Sequence, residues 1–145
     1  GVGCLVTASD GTWGFGITRY AGPVIPTIES HLAPLLIGED AMATERLWDM
    51  MARMTSPYSA AGLASYAISA LDLALWDLKG KLLKQPVWRL IGGPARETIP
   101  CYATGGDTDW HMELGFRATK LPLAHGPADG LPGLNANEEA VARAR

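Results

Sequence analysis

The chain has 145 residues, 48% apolar and 19% charged, the balance of an ordinary globular protein. Its net charge is -3 and its basic residues are scattered, which excludes the basic footprint of a nucleic-acid or anionic-membrane partner. The longest apolar stretch, 63–83, carries Asp72, Asp77, Lys79 and Lys81, so it does not read as a membrane span.

Cys4 and Cys101 stand far apart with no metal-binding spacing. They are expected to be buried, reduced thiols, which fits a cytoplasmic compartment. The opening residues carry neither a charged leader nor a cleavage pattern. The chain opens without Met in a strand-like run and closes inside a helical pattern, so both ends read as cut.

Two β-prone runs, 3–8 and 13–18, flank Ser9-Asp10-Gly11-Thr12. Asp-Gly between such runs predicts a hairpin with positive φ at both central turn positions. Pro26 is expected to open a helix, in the first turn where an N–H is unpaired anyway. Ile25, Ile28, Leu32 and Leu35 form its apolar stripe, and Gly38 its end. A second helix is predicted over 43–54, capped by Thr44, with Leu47, Met50, Met51 and Met54 facing inward. The third is the clearest: Ala64, Ile68, Leu71, Leu75, Leu78 and Leu82 recur at spacings of 4, 3, 4, 3 and 4. Ala67, Ala70 and Ala74 extend its apolar surface, which predicts a buried helix approached closely by its neighbours. Pro86 ends it, and Gly92-Gly93-Pro94 marks a boundary.

Beyond that boundary the rhythm becomes strand, helix, strand, helix. Strands are predicted at 98–103 and 117–121, parallel to each other, with a short helix at 109–114 between them. A Gly/Pro/Asn-rich loop is expected over 124–137, and a last helix from Glu138. Two such units do not close a barrel.

The stretch Ala70-Leu-Asp-Leu-Ala-Leu-Trp-Asp-Leu-Lys-Gly-Lys-Leu-Leu-Lys-Gln-Pro-Val-Trp-Arg-Leu-Ile-Gly-Gly93 resembles a long, ungapped signature. It belongs to the capping domain of the mandelate racemase and muconate lactonizing group of the enolase superfamily. The hairpin, the helices and the strand near Ile99–Ala103 follow in that family's order, so the resemblance spans nearly the whole chain. Cys101-Tyr-Ala-Thr-Gly105 and Lys120-Leu-Pro-Leu-Ala-His-Gly-Pro-Ala-Asp-Gly130 are similar to segments of L-rhamnonate dehydratase-like acid-sugar dehydratases.

The resemblance implies an α+β capping domain, a hairpin plus helical bundle, over 1–93, missing its start. It also implies the first βα units of a (β/α) barrel over 94–145. The implied activity is a Mg²⁺-dependent sugar-acid dehydratase: a proton is removed next to a carboxylate, the metal stabilises the enediolate, and water is lost. The alternatives are a racemase, epimerase or cycloisomerase of the same superfamily, or a non-catalytic capping or oligomerisation module. The implied partner is a small sugar acid, and the implied assembly a homo-oligomer.

Lys120 is the candidate catalytic residue, since it ends the second barrel strand, where such enzymes place reacting groups. It matches the first lysine of a Lys-x-Lys pair found in many relatives. Pro122 replaces the second, which puts a two-lysine mechanism in doubt. Tyr58, in the loop between the second and third helices, is the candidate substrate-binding residue; the alternative is an ordinary Pro-Tyr turn. Ser59 reads as a cap for the long helix. His31 and His111 read as structural and His125 as a surface-loop histidine. The carboxylates do not converge: Asp72 and Asp77 are five apart on a helix and face different ways. The Mg²⁺ ligands are therefore expected downstream of Arg145.

Overall fold

A computed structural model describes residues 1–58 and 61–144. The chain divides into two compact units, Gly1–Ala95 and Arg96–Arg145.

In the first unit, β1 (Val2–Thr7) and β2 (Trp13–Thr18) pair antiparallel with Val2 opposite Thr18 and Thr7 opposite Trp13. The turn differs from expectation: only Gly11 takes positive φ (87°), because the chain spends extra residues there. Ala8 and Thr12 close the loop through a backbone bond of 2.8 Å, and Asp10 Oδ1 accepts from the Thr12 N–H at 2.8 Å.

The next helix starts earlier than the prolines suggest. α1 spans Ala21–Pro26, so Pro23 occupies the first turn and Pro26 lies inside. Pro26 has no N–H to give, and the helix widens to π-helical turns over Thr27–Leu32 before α2 (Ala33–Leu36). Hydroxyls of Thr27 and Ser30 donate to the carbonyls of Pro23 and Pro26, one turn back along the same helix. α3 spans Thr44–Thr55. Thr44 is not its cap but its first helical residue; it is buried, and its Oγ1 accepts from Lys79 Nζ at 3.2 Å. α4 spans Leu63–Leu83, buries Ala64, Ala67, Ile68, Ala70, Leu71, Ala74, Leu75 and Leu78, and ends at Lys84 in a left-handed conformation. A short α5 follows, Val87–Leu90.

The hairpin lies on α4 because β2 alternates glycine with large residues. A Cβ on Gly16 would fall 1.9 Å from the Ala70 carbonyl, and one on Gly14 2.0 Å from that of Ala74. Only glycine lets the strand come this close to the helix backbone. Asp77 completes the joint: its Oδ2 accepts from the Phe15 N–H at 2.8 Å and from Lys81 Nζ at 2.7 Å. Lys81 also donates to the Trp13 carbonyl and sits 3.8 Å over the Trp13 ring.

In the second unit, β3 (Ala103–Thr104) pairs parallel with β4 (Thr119–Lys120), Ala103 opposite Thr119 and Thr104 opposite Lys120. The parallel order is as expected, but the strands are shorter. Pro100, with no N–H, stands before the ladder, which begins at Ala103. α6 (Thr108–Glu113) is capped by Asp107, whose Oδ1 accepts from the Trp110 N–H at 3.1 Å. A 3₁₀ turn, Pro127–Asp129, leads into α7 (Gly130–Arg143). α7 therefore begins eight residues before Glu138: Pro132 falls in the first turn, where it is tolerated. Cys4 is buried as expected, whereas Cys101 is exposed, because the irregular stretch before β3 has nothing packed over it; both are free thiols.

Candidate functional site

Tyr58 follows α3 in the turn that closes it, its N–H bonded to the Thr55 carbonyl at 3.2 Å. The ring is 58% exposed, so the phenol is available to a ligand. Its inner side meets His31, with ring centroids 5.6 Å apart and planes tilted by 57°. His31 Nε2 is buried and has no hydrogen-bond partner among the described residues. The expected capping role of Ser59 lies outside the described residues.

Lys120 is the last residue of β4. Its orientation follows from its neighbour. Thr119 Oγ1 lies 3.3 Å from His111 Nδ1 on α6, so Thr119 points to the helix side. Successive strand side chains point to opposite faces, so Lys120 faces away from α6. In a βα unit that is the face turned from the covering helix, toward a barrel's interior. Lys120 is exposed; its carbonyl accepts from the Gly105 N–H at 3.2 Å, while its ammonium makes no hydrogen bond or ion pair among the described residues. His111 is structural, as its sequence context suggested: its ring packs against Gly105, where a Cβ would fall 3.1 Å from Cε1.

The carboxylates divide between structural tasks. The hydrogen bond from Lys81 holds Asp77 below the usual carboxylate range against the cost of desolvation, with the Phe15 N–H and the Lys81 charge adding to it. Asp72, on another side of α4, is pushed up by burial and by the nearby Glu45. Sequence reasoning missed the role of Asp77 because it was weighed only as a metal ligand; the signal was its spacing of four from Lys81. Among the described residues no group of three or more His, Cys, Asp or Glu is placed to hold a metal ion.

A groove of the first unit, about 980 Å³, runs beside β1 and is lined by Leu36, Leu71, Leu75 and Leu78. Neither Tyr58 nor His31 is among its lining residues. It is a feature of the packing, separate from the candidate residues.

The chain thus presents a hairpin of alternating glycines laid on a buried, alanine-rich helix and, further on, a parallel strand pair with a lysine at its carboxyl end. The profile of the mandelate racemase/muconate lactonizing enzyme N-terminal domain matches residues 2–92. The chain belongs to this group of the enolase superfamily. It is 46% identical over 140 residues to an L-rhamnonate dehydratase of Saccharopolyspora erythraea, covering 97% of this chain and 36% of that protein. The crystal structure of rhamnonate dehydratase from Gibberella zeae complexed with Mg is similar at a TM-score of 0.84 and 39% identity, covering 97% of this chain and 34% of that one. The 3,6-anhydro-D-galactonate cycloisomerase of Zobellia galactanivorans is similar at 0.80 and 35% identity, covering 96% and 42%. The chain thus spans about a third of the length of the curated relative.

Proposed function

We propose that residues 1–93 are the capping domain, and 94–145 the opening barrel units, of a Mg²⁺-dependent acid-sugar dehydratase. The observation that carries this reading is Lys120, at the carboxyl end of a parallel strand and on the face opposite the covering helix. The similarity to rhamnonate dehydratases supports the substrate class, a polyhydroxy acid.

The reaction breaks the C–H bond next to the carboxylate and then the C–O bond of the neighbouring hydroxyl. Water leaves, and the enol relaxes to a 2-keto-3-deoxy acid. Negative charge grows on the substrate carboxylate in the first step. A cationic side chain aimed at that charge stabilises the transition state more than the ground state. Lys120 supplies it, and the exposed Tyr58 phenol supplies a hydrogen bond to a substrate hydroxyl. A bound Mg²⁺ adds Lewis-acid stabilisation of the same charge. The described residues of this chain do not form a site that fits it. Its ligands are assigned to the part of the relatives' length that this chain does not span.

The test is 2-keto-acid formation by the full-length protein across a panel of aldonic and aldaric acids, with and without EDTA. The expected result is turnover of a narrow set of acids, abolished by EDTA. No keto acid from any member would overturn the dehydratase reading. Tyr58→Phe is expected to raise KM about tenfold, the size of one lost hydrogen bond. The similarity to a cycloisomerase keeps a second reading open, isomerisation without net loss of water. Isomer formation in the same assay, with no keto acid, would favour it. Pro122, in the place of a second lysine, argues against two-lysine racemisation.

A further inference from the structure

The loop that leaves β4 straight after Lys120 is fixed from three sides. The side-chain amide of Asn137, on α7, engages both backbone groups of His125: the His125 N–H donates to Oδ1 at 3.2 Å, and Nδ2 donates to the His125 carbonyl at 2.9 Å. The Asp129 carboxylate accepts from the Gly126 N–H at 2.8 Å and stands 3.7 Å from His125 Nδ1. Gly133 is buried against the same turn: a Cβ there would fall 2.5 Å from Asp129 Cβ and 3.0 Å from His125 Cβ. α7 is thus pressed directly on the loop, and the position of the His125 Cβ is set.

What this clamp leaves free is the imidazole. The His125 side chain is 43% exposed, with Nδ1 turned to a carboxylate and Nε2 without a partner among the described residues. A carboxylate beside one ring nitrogen orients the ring so that the other nitrogen faces outward. The loop starts at the strand end that carries Lys120.

We propose that His125 is a substrate-contacting residue whose outward-facing Nε2 hydrogen-bonds a hydroxyl group of the sugar acid. Asp129 orients the ring, and Asn137 positions the backbone beneath it. This rests on the reading of the protein as a sugar-acid enzyme.

The experiment compares His125→Leu, His125→Gln, Asp129→Asn and Asn137→Ala in the full-length protein, measuring KM, kcat and melting temperature. His125→Leu is expected to raise KM for the sugar acid by about tenfold, the cost of one hydrogen bond, with a smaller change in kcat. His125→Gln, whose amide reaches the place of Nε2, should recover part of the loss. Asp129→Asn and Asn137→Ala should raise KM by less, with the fold intact. Wild-type kinetics in His125→Leu, in a protein that does turn over sugar acids, would overturn this inference alone. A KM loss that tracks a fall in melting temperature and is not recovered by His125→Gln would reduce His125 to a structural residue. A full-length protein that neither binds nor turns over any sugar acid would remove the functional reading itself.

Discussion

The two units of this chain are built on opposite terms. Every buried hydrophobic side chain described lies between Val2 and Leu78, in the first unit. In the second, Gly133 is the only buried residue among those described, while Ile99, Tyr102, Met112, Leu123 and Leu131 are all exposed. The first unit closes a core around α4. The second holds its shape through a two-residue parallel ladder, the Asp107 cap and the Asn137 clamp. Parallel strands are ordinarily covered on both faces, so these local devices hold what a larger sheet would hold by burial.

The difference separates the family's most recognisable stretch from its chemistry. The Ala70–Gly93 signature is a packing device: alanines and leucines bury one helix, and Asp77 and Lys81 fasten β2 to it. The side chains proposed to meet a ligand, Tyr58, Lys120 and His125, stand on thinly packed segments outside it. Loops and strand ends are where a rigid scaffold can present reactive groups.

The largest effect that would break this contrast is at Gly16. Gly16→Val places side-chain atoms inside the Ala70 carbonyl and should cost about 3 kcal/mol or more, enough to unfold the first unit. Circular dichroism melting reads this directly, and a variant as stable as wild type would mean that β2 does not lie against α4.

A smaller effect is expected at Asp77. Asp77→Ala removes the acceptor of the Phe15 N–H and of Lys81, and should cost about 1 kcal/mol near neutral pH. Because the folded state depresses this carboxyl, its contribution is present above the unfolded value and is lost as pH falls through the folded one. The variant and the wild type should therefore converge in acid. Urea titrations that keep a constant gap down to low pH would contradict the assignment.

Asp72 should behave in the opposite sense and by less. Burial and Glu45 raise its folded value, so its stabilisation is full below the unfolded value and is lost as pH rises through the folded one. Asp72→Asn should stabilise the first unit by about 0.5 kcal/mol at neutral pH, a small figure because the group is still partly solvated. The gain should vanish in acid.

The first unit was the more legible in the sequence. Heptad-like spacing gave α4, and Asp10-Gly11 the hairpin, because these signals come from local periodicity and turn chemistry. The misreadings were of punctuation. Pro26 reads as a helix start and Pro132 as part of a loop, yet the first lies inside a helix that widens to π turns and the second sits in a first turn. Thr44 has a capping side chain, but Lys79 on a neighbouring helix claims it, which no local pattern encodes. At the candidate site, the proposals for Tyr58 and Lys120 rest on loop and strand-end logic. The face that Lys120 presents needed the Thr119–His111 contact, and the clamp on His125 needed Asn137, twelve residues away.

The central claim, that Lys120 works on the substrate rather than merely ending a strand, is tested most directly by Lys120→Met in the full-length protein. Methionine keeps the length and apolar stem and removes the charge. The account predicts that kcat for the best sugar acid falls about 100-fold or more, in line with the loss of a positioned charge, with the melting temperature unchanged. A kcat equal to that of wild type would contradict it.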